Sequence, residues 1–284
     1  MKHQTTKSLA LCAAALAVAW GSNAAANRLD DIKARGTIVC GTQNASSPYG
    51  FQDPDTRKYV GYDVDVCMAI GKEMGLKVEH KPLSTEARIP EVRMDRVDMV
   101  AGSVAWMPQR AEQVDFSKQY LQGYIKVLVK GDAAISSLKD LAGKKVCASS
   151  GSSSAAIAEK VLPDAQVLTF QTISQCYLGV QSGKVEAMTA GELVLRRFLN
   201  DAEKAGTPMK LLDQPTYTEH IGIIVKKDQP ELLAAVNAAI ESLDKSGELT
   251  KIYDKWMGSQ SIYKMTRDFA VEDVAAASKK DASK

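Results

Sequence analysis

Histidine is scarce in this chain, with three residues in 284, and His80 and His220 stand apart from one another and from any C-x-x-C pair, which is also missing. The common zinc arrangements need clustered Cys and His, so no metal is expected, and no cofactor either. The same scarcity leaves no His-paired nucleophile, and neither a nucleophile elbow nor a Ser/Lys pair supplies another. Net charge is low as well. The whole chain carries +2, and setting aside residues 1–26 removes Lys2 and Lys7, leaving 34 basic against 34 acidic residues. A balance of that kind gives no global pull toward nucleic acid or an anionic membrane. Beyond Trp20 no apolar run reaches the about 20 residues needed to span a bilayer, so a soluble protein is expected.

What is present begins with an export pattern. Lys2, His3 and Lys7 precede an apolar stretch from Leu9 to Trp20, which ends in Gly21-Ser22-Asn23 and Ala24-Ala25-Ala26. A basic start, a short apolar core and an Ala-x-Ala end describe a cleavable signal over residues 1–26 and a periplasmic destination. Cys12 follows bulky Leu11 and is itself followed by apolar residues, which does not suit a lipid attachment. Residues 27–284 suffice for one large domain or two ordinary lobes. They keep four cysteines, Cys40, Cys67, Cys147 and Cys176. An even count in an exported chain favours disulfides over metal or catalysis, and three pairings are open.

Short apolar runs alternate with helical patterns, the order of a parallel α/β layer. In the first half, strands are expected at Thr37–Cys40, Lys77–His80 and Asp98–Gly102, with helices at Leu29–Arg35 and Arg88–Arg96. A similar unit follows, with strands Lys145–Ser149, Gln166–Phe170 and Ala187–Ala190 and helices Ala155–Val161 and Gln175–Ser182. Two apolar segments, Gly123–Lys130 and Glu219–Lys226, bracket that second unit and read as a paired hinge. Helices Leu232–Leu243 and Leu249–Met257 come next, and the lysine-bearing tail from Ala275 reads as frayed.

Three clusters carry chemical information. Gly61-Tyr62-Asp63-Val64-Asp65 opens a helix in which Val66, Ile70 and Met74 repeat on one face. Asp63 suits its N-cap and Asp65 its first turn. Between Ser84 and Tyr120, Arg88-Ile89-Pro90 starts a helix, a strand runs into Gly102-Ser103, and Arg110 precedes Val114-Asp115-Phe116-Ser117. The carboxyl end of such a strand is where ligands sit in open α/β sheets. Arg110 taken alone is a surface ion-pair residue, whereas in this setting it can clamp a carboxylate through two charged hydrogen bonds. Ser149, Ser150 and Ser152–Ser154 form a polar turn at a helix start, which either caps the helix or binds an anion.

Together with Leu141-Ala142-Gly143-Lys144-Lys145 and Gly247-Glu248-Leu249…Tyr253-Asp254-Lys255-Trp256, these motifs resemble the periplasmic amino-acid-binding proteins of ABC importers over residues 30–260. The resemblance implies an α/β periplasmic-binding-protein fold (type II), with two lobes of mostly parallel sheet flanked by helices and joined by two hinge strands. Its lobes would be residues 27–127 with 224–260, and residues 128–223, with 261–284 as a C-terminal extension. Folding of each lobe as a unit favours Cys40–Cys67 and Cys147–Cys176. The implied activity is capture of a small molecule by hinge closure and delivery to an ABC permease in the inner membrane, by a monomer without catalysis.

The pattern is most similar to the glutamate/aspartate-binding branch. Ser46, Thr85 and Arg88 match its side-chain contacts, Ser103 and Arg110 its α-carboxylate site, and Ser152 and Ser153 the second lobe's share. Three positions depart from it. Gln43 stands where that branch has arginine, and Ala105 where Thr or Ser is usual. Gly191 stands where most members place an aspartate for the ammonium group, with Glu192 beside it as the residue that can take over. A dicarboxylate ligand, or a dehydratase-like enzyme using Glu192, are the alternatives on the same fold.

Overall fold

The computed structural model describes residues 27–282; the export pattern of residues 1–26, with Cys12, lies outside them. The first half holds α1 (Arg28–Arg35), β1 (Thr37–Gln43), β2 (Ala45–Ser46), β3 (Gly50–Gln52), β4 (Tyr59–Val60), α2 (Tyr62–Glu73), β5 (Lys77–Leu83), α3 (Arg88–Arg93), β6 (Met99–Ala105) and α4 (Pro108–Ala111). The long β7 (Val114–Lys130) leads to β8 (Lys145–Ser149), α5 (Ser153–Val161), β9 (Gln166–Phe170), α6 (Ile173–Ser182), β10 (Ala187–Gly191), α7 (Glu192–Lys204) and β11 (Met209–Leu211). The return strand β12 (Tyr217–Lys226) is followed by α8 (Pro230–Lys245), α9 (Glu248–Met257) and α10 (Val274–Ala282).

The main sheet runs β5-β1-β6-β12-β7-β10-β8-β9, with β11 also on β7. β1 lies parallel to β5 and β6, and β8 parallel to β9 and β10. Strands buried on both faces by helices read as near-continuous apolar runs, as Val146-Cys147-Ala148 does. The antiparallel pair β7 and β12 belongs to both halves. β12 pairs with β6 through Ile221–Val225, whereas β7 pairs with β10 through Ile125–Val129. The ladder between them shifts register on both sides of Gly222, so the strands bend where the chain passes from one half to the other.

One disulfide staples each half: Cys40 on β1 to Cys67 on α2, and Cys147 on β8 to Cys176 on α6. Among the described residues no helix is long and apolar enough to cross a membrane, and no cluster of His, Cys, Asp and Glu could hold a metal ion.

Three local expectations need correction. Asp63 does not cap α2. The N-cap is Gly61, at φ 140°, where a Cβ would lie 2.2 Å from the Tyr49 carbonyl oxygen, so only glycine fits. Glu192, the expected stand-in beside Gly191, is the first residue of α7, a helix whose Leu193, Val194, Leu195 and Phe198 are buried. The tail from Ala275 is not frayed. Helix α10 packs on β12 and β7, burying Val274 and Ala277, and His220 Nε2 meets Asp281 Oδ2 at 3.1 Å. The backbone N–H of Gln119 also donates to the Glu272 carbonyl at 2.8 Å, so this segment straps the outer face of the shared strands.

Candidate functional site

The turn into α2 fixes one wall of a cavity. Tyr62 N and Asp63 N donate to the carbonyls of Pro48 and Tyr49, which holds Tyr49 beneath the helix start. Asp65 accepts from Lys255 Nζ and Trp256 Nε1, both at 2.6 Å, and so ties α9 to α2. Asp63 itself is fully buried. It accepts from Ser103 Oγ and Tyr120 OH, both at 2.8 Å, and Tyr120 OH in turn accepts from Ser103 N at 3.0 Å. Burial pushes the Asp63 carboxyl up to about 7, against the pull of Tyr120, Ser103 and the Arg88 charge. Ser103 sits at φ 53°, in the left-handed region that a non-glycine residue visits only when its surroundings hold it. The Asp63–Tyr120 pair supplies that hold.

Arg88, at the start of α3, is 4% exposed. Its Nε donates to Thr85 O at 2.8 Å, and its Nη1 to Gly102 O at 2.6 Å and Ser103 O at 3.1 Å. Burial first, and then the Arg110 charge, bring its pKa down to about 10, so it stays cationic at neutral pH. Facing it from the second half is the start of α5, where Ser152 caps the helix by accepting from Ala155 N at 3.2 Å. Ser153 Oγ donates to Glu219 Oε1. The first-turn N–H groups of α5 and the dipole behind them favour an anion.

The enclosed space has a volume of about 250 Å³. That is below the range of drug-sized sites and suits a ligand of amino-acid size. Ser46, Thr85, Arg88, Ser103, Ser152 and Ser153 all line it. Arg110 does not. Its guanidinium, 8% exposed, bridges Ala105 O at 3.0 Å and Gly151 O at 3.1 Å, and so joins α4 to the serine turn of the other half. Glu192 is also outside the cavity, because its position on α7 turns its carboxylate to Arg196 Nη2 at 2.7 Å and Lys126 Nζ at 3.2 Å. Among the lining residues that the sequence did not bring forward are Glu219, Tyr49 and Thr189. Glu219 carried a usable signal, being an acidic residue two positions before the apolar run Ile221–Val225. Burial raises its carboxyl above the usual range, with Ser153 and the charges of Arg110 and Arg88 opposing.

Two α/β halves that share a bent pair of strands and face each other across a polar cavity define a two-lobed solute-binding protein. Comparison with known proteins gives the family. Residues 38–259 match the bacterial extracellular solute-binding proteins, family 3, and the chain belongs to that family. It is 28% identical to a glutamine-binding protein of an ABC transporter from Bacillus subtilis (strain 168) over 247 residues, 84% of this chain and 89% of that one. It is 29% identical to an L-glutamate/L-aspartate-binding protein from Pseudomonas aeruginosa over 266 residues, 88% of this chain and 86% of that one. The solved structure of an ancestral arginine-binding protein bound to arginine superposes with a TM-score of 0.73 at 36% identity, covering 79% of this chain and 99% of the other. The protein is thus an extracytoplasmic solute-binding protein of amino-acid ABC transport and not an enzyme.

Proposed function

We propose that the protein captures an acidic amino acid, L-glutamate or L-aspartate, in the periplasm and presents the closed form to an inner-membrane ABC permease. The observation that carries the acidic preference is the charge around the cavity. Arg88 lines it, and the Arg110 charge, outside the lining, acts on Arg88 and on Glu219, which is the one carboxylate among the lining residues. Asp63, behind Ser103, titrates near neutrality and offsets only part of this excess. A ligand with two carboxylates and one ammonium complements it, whereas a cationic ligand meets like charge. In this arrangement Arg88 takes the side-chain carboxylate, with Ser46 and Thr85 beside it. The α-carboxylate takes the first turn of α5 at Ser152 and Ser153, with Arg110 supplying the second positive charge.

Closure follows from the placement of these groups on different halves. Arg110 reaching Gly151 connects the two sides directly. A ligand touching both halves adds contacts that only the closed form makes, and so shifts the population toward it. The enzymatic alternative loses its acid, since Glu192 is held by Arg196 and Lys126 away from the cavity.

A thermal-shift screen of ligand-stripped protein against the amino acids tests the proposal. At 100 times its dissociation constant a ligand adds about 2.7 kcal/mol. For a chain of this size that corresponds to roughly 5–10 °C. L-glutamate or L-aspartate is expected to give the largest shift; a larger one with L-arginine or L-glutamine would refute the acidic preference.

A further inference from the structure

We infer that Glu219, on the shared strand β12, is the counter-ion for the ligand's ammonium group, an inference that rests on the amino-acid-binding reading above. The carboxylate is 6% exposed and lines the cavity. No Lys, Arg or His nitrogen among the described residues lies within 4.0 Å of it, although every other carboxylate buried on this side of the molecule has a cation or two hydroxyl donors. Glu192 has Arg196 and Lys126, and Asp63 has Ser103 and Tyr120. Glu219 is held by the Ser153 hydroxyl on Oε1. A buried carboxylate served by one neutral donor lacks the partner that normally offsets its desolvation.

Two hydroxyls that line the same cavity have their protons committed elsewhere. The Ser103 hydroxyl donates to Asp63 at 2.8 Å and the Thr189 hydroxyl to the Lys126 carbonyl at 3.0 Å. Each hydroxyl has one proton, so toward the cavity both oxygens act as acceptors. Glu219, Ser103 and Thr189 therefore offer hydrogen-bond acceptors to the same cavity that Arg88 and the first turn of α5 supply with donors. An ammonium, with three donors and a positive charge, fits these acceptors. A carboxylate does not.

Gly191 leaves the room for it. Its backbone, at φ −57° and ψ 137°, suits any residue. A Cβ there would stand 3.7 Å from Glu219 Oε2 and 3.5 Å from Tyr49 OH, in ordinary contact. Gly191 contributes no side chain beside Oε2, where the nearest other side-chain atom to such a Cβ is the Tyr49 hydroxyl, and a carboxylate placed at position 191 would reach the same region from β10, on the far side of β7. The ammonium is thereby anchored on a strand that belongs to both halves of the molecule, rather than on one lobe.

The test is calorimetric titration of the purified protein with L-glutamate and with its des-amino analogue glutarate. E219Q is expected to weaken L-glutamate by about 30-fold or more, the loss typical of a buried charge partner, and to leave glutarate within about threefold. Adding G191D to E219Q returns a carboxylate to the same space and is expected to recover at least about tenfold of the L-glutamate affinity. Equal effects of E219Q on the two ligands, or no recovery with G191D, would overturn the assignment. A wild-type protein that prefers L-glutamine or L-arginine refutes the acidic reading alone. The same comparison is then made with that amino acid and its des-amino acid, and the assignment of Glu219 stands or falls on that ratio.

Discussion

The buried carboxyl of Asp63 makes stability depend on pH in a direction opposite to acid denaturation. Its folded pKa is raised from 3.8 to about 7 by burial at the start of α2. An acid with a raised folded pKa contributes stability that is fully present below its unfolded pKa and lost as pH rises through the folded value. The interval is about three pH units, and each is worth about 1.4 kcal/mol, so the protein should lose about 4 kcal/mol between pH 4 and pH 7 from this group. At about 2–4 °C per kcal/mol for a chain of this size, the melting temperature should fall by about 10 °C over that range. Glu219, also raised by burial, acts with the same sign. His80 acts against it below the ordinary imidazole value of 6.5, since burial lowers its pKa. The carboxylates held low by hydrogen bonds, Asp53, Glu91, Asp140 and Glu241, act mostly below the window. Thermal unfolding of ligand-free protein at half-unit pH steps reads the slope. D63N keeps a polar side chain at the site, and its slope should be shallower than wild type's, keeping only the part due to Glu219, even where its absolute stability is lower. A wild-type melting temperature that does not fall from pH 4 to 7, or an unchanged slope in D63N, would refute the reasoning.

Removal of the Arg88 guanidinium should act selectively. R88A is expected to weaken L-glutamate by about 2–5 kcal/mol while changing L-glutamine far less, and calorimetry showing equal losses would make Arg88 a purely structural residue holding the Thr85, Gly102 and Ser103 carbonyls. Reduction should destabilise both halves. The two bridges close loops with sequence separations of 27 and 29, worth about 3–4 kcal/mol each in the chain-entropy treatment. Thermal melts with and without a reductant read this loss, and superimposed curves would show that the bridges add nothing.

The architecture was largely legible because the apolar runs at Ile38-Val39-Cys40 and Val146-Cys147-Ala148 are too short and too closely spaced for anything but buried strands. The disulfide pairing followed from treating each half as a unit. The site was legible where a residue's role depends on its own element, as with Arg88 at the start of α3 and Ser152 at the cap of α5. It was not legible where the role depends on which of two neighbours wins. Asp63 has the chemistry of a cap, but Gly61 takes that position because the Tyr49 carbonyl leaves no room for a Cβ. Glu192 and Glu219 are both single carboxylates next to β-structure. Arg196, one helical turn on, captures the first, and nothing comparable captures the second. Tail residues such as Val274 and Ala277 are too few to show in the sequence that they cover a strand pair more than 50 residues earlier.

The most direct measurement is the calorimetric titration of ligand-stripped wild-type protein with L-glutamate and L-glutamine, which differ by one charge at the end expected to meet Arg88. Tighter binding of L-glutamate by at least about tenfold, a difference of about 1.4 kcal/mol, is the result expected from a cavity with two arginines near one glutamate. Equal affinities, or a preference for L-glutamine, would contradict it.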